Sequence, residues 1–69
     1  MASISMTVNG DLLDISHGMT VASFLEGRKI DPRLVVVEYN REIIEREKYG
    51  ETILKSGDEI EIVRIVGGG

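Results

Sequence analysis

Apolar and polar residues alternate near both ends of this chain and change to a helical spacing between them. Ile4, Met6 and Val8 are separated by Ser5 and Thr7, a period of two that predicts a half-buried strand. Asn9-Gly10 follows, and Leu13 and Ile15 then flank Asp14 on a return strand. Asn-Gly is the strongest short hairpin signal, because a type I′ turn needs positive φ at both central positions. After the Ser16-His17-Gly18 loop, Thr20 is placed to cap a helix. Val21, Phe24, Leu25 and Arg28 keep i, i+3, i+4 spacing and mark one helical stripe. Gly27 weakens the end of that helix, Pro32 bars its continuation, and Asp31 before the proline is pushed toward extended backbone.

Leu34 to Tyr39, rich in β-branched residues, predicts a strand. Asn40-Arg41 reads as a turn less favourable than Asn-Gly, since Arg resists positive φ. Glu42-Ile43-Ile44 is a short strand, and residues 45–51 form a polar loop or a single helical turn. Thr52-Ile53-Leu54 is a turn that plugs the core, and Lys55-Ser56-Gly57-Asp58 is a second turn cluster. Glu59 to Val66 is the last strand, with Ile60 and Ile62 on one face and Glu59 and Glu61 on the other. The order β-β-α-β-β-β predicts a two-layer α+β domain in which one helix crosses one face of a sheet. It is the pattern of the ubiquitin-like β-grasp fold: a mixed sheet of four to five strands packed on one helix, the last strand lying centrally beside the first. The domain is expected to span residues 1–66, with 67–69 as a flexible glycine tail.

Composition narrows the chemistry. At 69 residues the chain is one small domain, and 42% hydrophobic with 29% charged residues is ordinary for a globular protein. It has no Cys, hence no disulfide, thiolate nucleophile or Cys metal site, which fits a cytoplasmic location. No apolar run approaches the ~20 residues of a membrane span, and Met1-Ala2-Ser3 lacks the features of a signal peptide. A net charge of −4 without a basic stripe argues against nucleic acid. The short basic group Arg28, Lys29 and Arg33 reads as a solvated helix end. His17 is a lone loop histidine without ligand spacing to a second His. No serine lies in a G-x-S-x-G elbow and no phosphate-binding glycine motif is present. Glu42, Glu45, Glu47 and Glu51 are interleaved with Arg46 and Lys48, a solvated face rather than a catalytic cluster. The chain is thus expected to be no enzyme, with no catalytic residue, no metal and no bound cofactor of its own.

What stands out is Ile65-Val66-Gly67-Gly68-Gly69. Three residues without Cβ atoms have little steric profile, and fully extended they reach about 10 Å. Such an arm could carry the Gly69 carboxylate into another protein's narrow active site; a frayed terminus would read the same way in isolation. Ordering glycine costs more entropy than ordering any other residue, so the arm adds little net affinity and the folded body must supply it. If Ile60 and Ile62 face the core, Val63 and Ile65 lie on the other side. Leu34 and Val36 share that side if Val35 and Val37 point inward. These four residues, with acidic residues near their rim, are the expected docking patch, and Val66, Gly67 and Gly68 complete the partner-binding set.

The ordered set of segments resembles the ThiS family, sulfur carriers of thiamine biosynthesis. The resemblance is carried by Val8-Asn9-Gly10, Gly18-Met19-Thr20-Val21, Ile30-Asp31-Pro32-Arg33, Val37-Glu38-Tyr39-Asn40, Gly57-Asp58-Glu59-Ile60-Glu61-Ile62 and Val66-Gly67-Gly68-Gly69. Arg41 and Lys29 stand where that family often has Gly, and Glu45 where it often has Pro. The resemblance implies that Gly69 is adenylated by an E1-like adenylyltransferase (ThiF) with ATP and Mg²⁺. A sulfur donor system then converts it to a thiocarboxylate, and thiazole synthase (ThiG) receives the sulfur. A molybdopterin-synthase small subunit, a ubiquitin-like protein modifier and a plain interaction module are the other readings of a β-grasp body with a glycine tail.

Overall fold

The computed structural model describes residues 2–65; Met1, Val66 and the predicted tail Gly67–Gly69 lie outside the described residues. The opening hairpin forms as its alternation dictates. Strands β1 (Ser3–Val8) and β2 (Asp11–Ser16) pair antiparallel, with Ile4 opposite Ile15 and Met6 opposite Leu13 on the core side. Asn9 and Gly10 take φ of 50° and 87°, the two positive angles that a type I′ turn requires.

Helix α1 (Val21–Gly27) opens on a reciprocal cap. The Thr20 hydroxyl accepts from the Ser23 N–H at 3.1 Å, and the Ser23 hydroxyl accepts from the Thr20 N–H at 2.9 Å. Val21, Phe24 and Leu25 are buried. Arg28 does not extend their stripe: it is the exposed C-cap, its guanidinium lying 5.1 Å from the Phe24 ring centre. Seven residues are too few for a helix to stand alone, so packing on the sheet holds this one.

Two strand boundaries differ from the sequence pattern. Leu34 belongs to a 3₁₀ turn (Pro32–Leu34) rather than to the strand that follows. Asp31 caps that turn by accepting from the Arg33 N–H at 2.9 Å, and Pro32 has the fixed φ that a first turn needs. Strand β3 therefore runs Val35–Tyr39, and the last strand ends at Arg64 among the described residues. The polar segment 45–51 contains a 3₁₀ turn (Arg46–Lys48) and delivers Tyr49, a core residue that its polar surroundings concealed. Leu54 plugs the core, whereas Ile53 beside it is exposed.

Strand β4 (Glu42–Ile44) pairs with β3, and β5 (Glu59–Arg64) enters between β1 and β3, giving the order β2-β1-β5-β3-β4. The β5–β3 pairing is antiparallel and long, from Val35 opposite Arg64 to Tyr39 opposite Ile60. The β5–β1 pairing is parallel and spans only Thr7–Val8 against Glu59–Ile60. Met6, Val8, Val21, Leu25, Val37, Leu54 and Ile60 fill the space between sheet and helix. This is the two-layer β-grasp architecture, with five strands and one α-helix among the described residues.

Two side chains fix β5 in place. Asn9 extends the short β1 pairing: its side-chain carbonyl accepts from the Ile62 N–H at 2.7 Å and its amide donates to the Ile62 carbonyl at 3.4 Å. At the other end, Asp58 accepts from the Tyr39 hydroxyl, the Asn40 amide (3.2 Å) and the Lys55 N–H (2.8 Å). Asn40 accepts in turn from the Glu59 N–H at 2.8 Å. Burial works to raise the Asp58 pKa, but the hydrogen bonds outweigh it and hold the carboxyl below its usual value. The Tyr39 hydroxyl is pushed up to about 12, first by burial and then by its bond to Asp58.

Two outcomes are expected. Asn40 and Arg41 both have positive φ, 52° and 73°. Arg41→Gly removes the strain of an L side chain there and loses only an exposed 3.8 Å contact to Glu59. Thermal denaturation should show stabilisation of up to about 1 kcal/mol, raising the melting temperature by ~4–8 °C. Second, a carboxyl whose folded pKa is depressed adds stability that is complete above its unfolded value of 3.8 and is lost as pH falls through the lower folded value. Denaturant titrations of Asp58→Asn across pH 2–5 should therefore show a shallower acid loss than the parent. Part of the slope should remain, because hydrogen bonding to Arg33 holds exposed Asp31 down at about 2.

Candidate functional site

Four of the residues singled out in the sequence converge at the end of β5. Ile60 and Ile62 turn toward the helix, and Val63 turns to the opposite face. Val36 of β3 is the direct cross-strand neighbour of Val63. The Ile65 N–H donates to the Leu34 carbonyl at 2.8 Å, which carries the pairing one step past the strand and seats Ile65 against the turn before β3. Leu34, Val63 and Ile65 are 49%, 53% and 51% exposed, while Val36 between them is half-buried. The structure thus brings together Leu34, Val36, Val63 and Ile65 on the helix-free face. Val66, Gly67, Gly68 and Gly69 lie outside the described residues.

Two further apolar residues share this face. Ile43 (69% exposed) flanks Glu38 across the β3–β4 pair, and Leu12 (73% exposed) lies opposite Thr7 on the far edge. The signal for both was in the sequence: Leu12-Leu13 and Ile43-Ile44 are adjacent apolar pairs within strands, so one member of each must point away from the core. Glu38 and Glu61 sit directly opposite each other, beside the Val36–Val63 pair. Like charges in that arrangement repel. The acidic residues are therefore inside this face rather than only at its rim. The surface can offer apolar contact and negative charge together.

Other parts of the molecule offer less chemistry. No group of His, Cys, Asp and Glu able to hold a metal occurs among the described residues, and no helix there is long and apolar enough to cross a membrane. His17 follows β2 in an exposed loop. A groove of about 570 Å³ runs beside the helix end and is lined by Ala22, Ile30, Arg46 and Tyr49 among others. Among the described residues, none of those singled out for partner binding lines it.

Comparison with known proteins follows the same geometry. A family model described as the ThiS family matches residues 6–69. The Bacillus subtilis (strain 168) sulfur carrier protein ThiS is 44% identical over 50 residues, covering 72% of this chain and 76% of that protein. A thiazole synthase of Paramagnetospirillum magneticum is 36% identical over 66 residues. That match takes in 96% of this chain but only 20% of the longer protein, so the chain spans about a fifth of that relative's length. The crystal structure of a thiamine biosynthesis protein (ThiS) from Geobacter metallireducens superposes with a TM-score of 0.83 at 33% identity, covering 96% of this chain and 100% of that one. A match across residues 6–69, a curated carrier at 44% identity and a shared fold at 33% identity agree: the chain belongs to the ThiS family.

Proposed function

We propose that this protein is a sulfur carrier of thiamine biosynthesis whose reactive group is the Gly69 carboxylate. The observation that carries this reading is the family match over residues 6–69, glycines included, to a family with a curated sulfur carrier. The fold supports it. β5 is bonded to β3 along its length and to β1 and the Asn9 side chain as far as Ile62, so whatever follows Ile65 starts from a strand held in the middle of the sheet.

The chemistry follows from what a carboxylate lacks. Its negative charge repels nucleophiles and its oxygen is a poor leaving group. An E1-like adenylating enzyme supplies ATP and Mg²⁺: a Gly69 oxygen attacks the α-phosphorus, pyrophosphate leaves, and the acyl group becomes a mixed anhydride with AMP. A sulfur nucleophile from a donor system then attacks the acyl carbon and AMP leaves, giving a thiocarboxylate. Thiazole synthase takes the sulfur. Proteins named thiazole synthase that contain a stretch similar to nine-tenths or more of this chain favour that recipient. All catalytic groups belong to the partners. This chain supplies an aimed acyl carbon and the docking face of Leu34, Val36, Val63 and Ile65, with Glu38 and Glu61 offering charge to a basic partner.

Intact mass after incubation with the adenylating enzyme, ATP-Mg²⁺ and a sulfur donor should rise by the exchange of one oxygen for one sulfur. The gain should vanish when Gly69 is deleted, and thiazole synthase should remove it. Covalent conjugates with other proteins on a denaturing gel, without sulfur gain, would replace this reading with that of a protein modifier. Ile65→Asp should melt like the parent, because Ile65 is half exposed, yet lower kcat/KM for adenylation on the order of tenfold. An unchanged rate in the folded variant would remove Ile65 from the docking face.

A further inference from the structure

One edge of β5 is left open where it meets the tail. Residues 59 and 65 bond toward β3: the Glu59 carbonyl accepts from the Asn40 N–H at 2.8 Å, and the Ile65 N–H donates to the Leu34 carbonyl at 2.8 Å. The alternate residues turn toward β1. The Asp58 carbonyl accepts from the Thr7 N–H and the Ile60 carbonyl from the Asn9 N–H, each at 2.9 Å, and Ile62 is satisfied by the Asn9 side chain. Arg64 is next in this series. By then the chain of β1 has turned away at Asn9-Gly10, so the Arg64 N–H and carbonyl point to an edge that no strand covers among the described residues. Unblunted edges of this kind invite strand addition.

Beneath that edge, on the helix side of the sheet, lies a groove of about 240 Å³. Val8, Phe24, Val35 and Ile62 form its apolar floor, and Arg28 and Arg64 stand at its rim. Arg28 is held there over the Phe24 ring. Among the described residues neither arginine takes part in an ion pair, although the chain as a whole carries a charge of −4.

Resting on the reading of this chain as a substrate for an adenylating enzyme, we propose that an extended segment of that enzyme adds to the β5 edge at Arg64, places an apolar side chain in the groove beneath, and sets a carboxylate against Arg28. The open N–H and carbonyl specify a strand as the occupant. The floor specifies an apolar side chain, and the two unpaired cations specify negative charge beside it. A second copy of this chain fits less well, because antiparallel pairing on the same edge brings two arginine rims together. The site is distinct from the helix-free docking face, so the enzyme would grip β5 from two sides just before the tail.

The test uses the ¹⁵N-labelled chain with its adenylating enzyme. Addition of the enzyme should slow hydrogen exchange at the Arg64 amide. Arg64→Pro removes the outward N–H, a loss that an edge position tolerates, together with the guanidinium at the groove's rim. It should melt like the parent but lose on the order of tenfold in kcat/KM for adenylation. Arg28→Glu should lose as much, and Arg28→Lys should keep most of the rate. Should Arg64→Pro fail to fold, amide exchange in the unmodified chain and the Arg28→Glu rate still decide. Normal adenylation with an unprotected Arg64 amide and an unaffected Arg28→Glu rate overturns the added strand while leaving the carrier reading intact. Protection of Arg64 in the chain alone, with a dimer's mass in sedimentation, assigns the edge to a second copy and overturns it as well. A chain that a competent enzyme never adenylates refutes the carrier reading, and the added strand falls with it.

Discussion

The rest of the structure depends on the insertion of β5 between β1 and β3. A strand taken from the end of the chain must find partners from its beginning and its middle at once. Only two residue pairs join β5 to β1, too few to hold a central strand by ladder bonds alone. Asn9 supplies the difference with its side chain, presenting a carbonyl and an amide to Ile62 as a strand residue would present its backbone. Asp58 and Asn40 do the complementary task at the start of β5, tying its first turn to the β3–β4 hairpin. With both ends secured, the apolar face of β5 closes the core over α1 and its outer face is left for partners.

Much of this was legible in the sequence because it is local. Alternation over residues 4–15, the Asn-Gly turn and the Val21/Phe24/Leu25 spacing each reflect a rule acting within a few residues, and the structure follows them. The outward placement of Leu34, Val36, Val63 and Ile65 followed from parity in two strands, since choosing the inner residues fixes the outer ones. What sequence could not show is long-range or exceptional. Asn9 read as a turn residue; its bonds to Ile62, 53 positions away, have no local signature. Tyr49 sits in a polar loop whose composition gives no hint of a core position. Leu34 looked like the start of a strand because its apolar character matches the strand, while the Asp31 cap that bends it into a turn acts through one hydrogen bond.

The left-handed residues show where fold and local preference conflict. Arg41 and Lys29, with φ of 73° and 59°, occupy conformations that suit glycine. Lys29 ends the helix and Arg41 closes the β3–β4 turn, so both lie where the backbone must reverse within one or two residues. The β3–β4 pairing outweighs the local cost at Arg41, and at Lys29 the helix-closing bonds do so, the Lys29 N–H donating to the Glu26 carbonyl at 3.0 Å and the Ile30 N–H to the Leu25 carbonyl at 2.9 Å.

The Asn9-Gly10 junction carries a further consequence. Asparagine followed by glycine is the sequence most prone to spontaneous deamidation, because the bare glycine lets its backbone nitrogen reach the asparagine side-chain carbonyl. In this fold that same carbonyl is engaged by the Ile62 N–H, and the amide by the Ile62 carbonyl. The contact that centres β5 therefore also shields the molecule's most perishable bond. Conversion of Asn9 to a carboxylate would replace a donor with a negative charge facing the Ile62 carbonyl and loosen the strand that leads to the tail. The chemical age of a preparation, read at this one residue, is thus tied to how firmly the strand before the glycines is held.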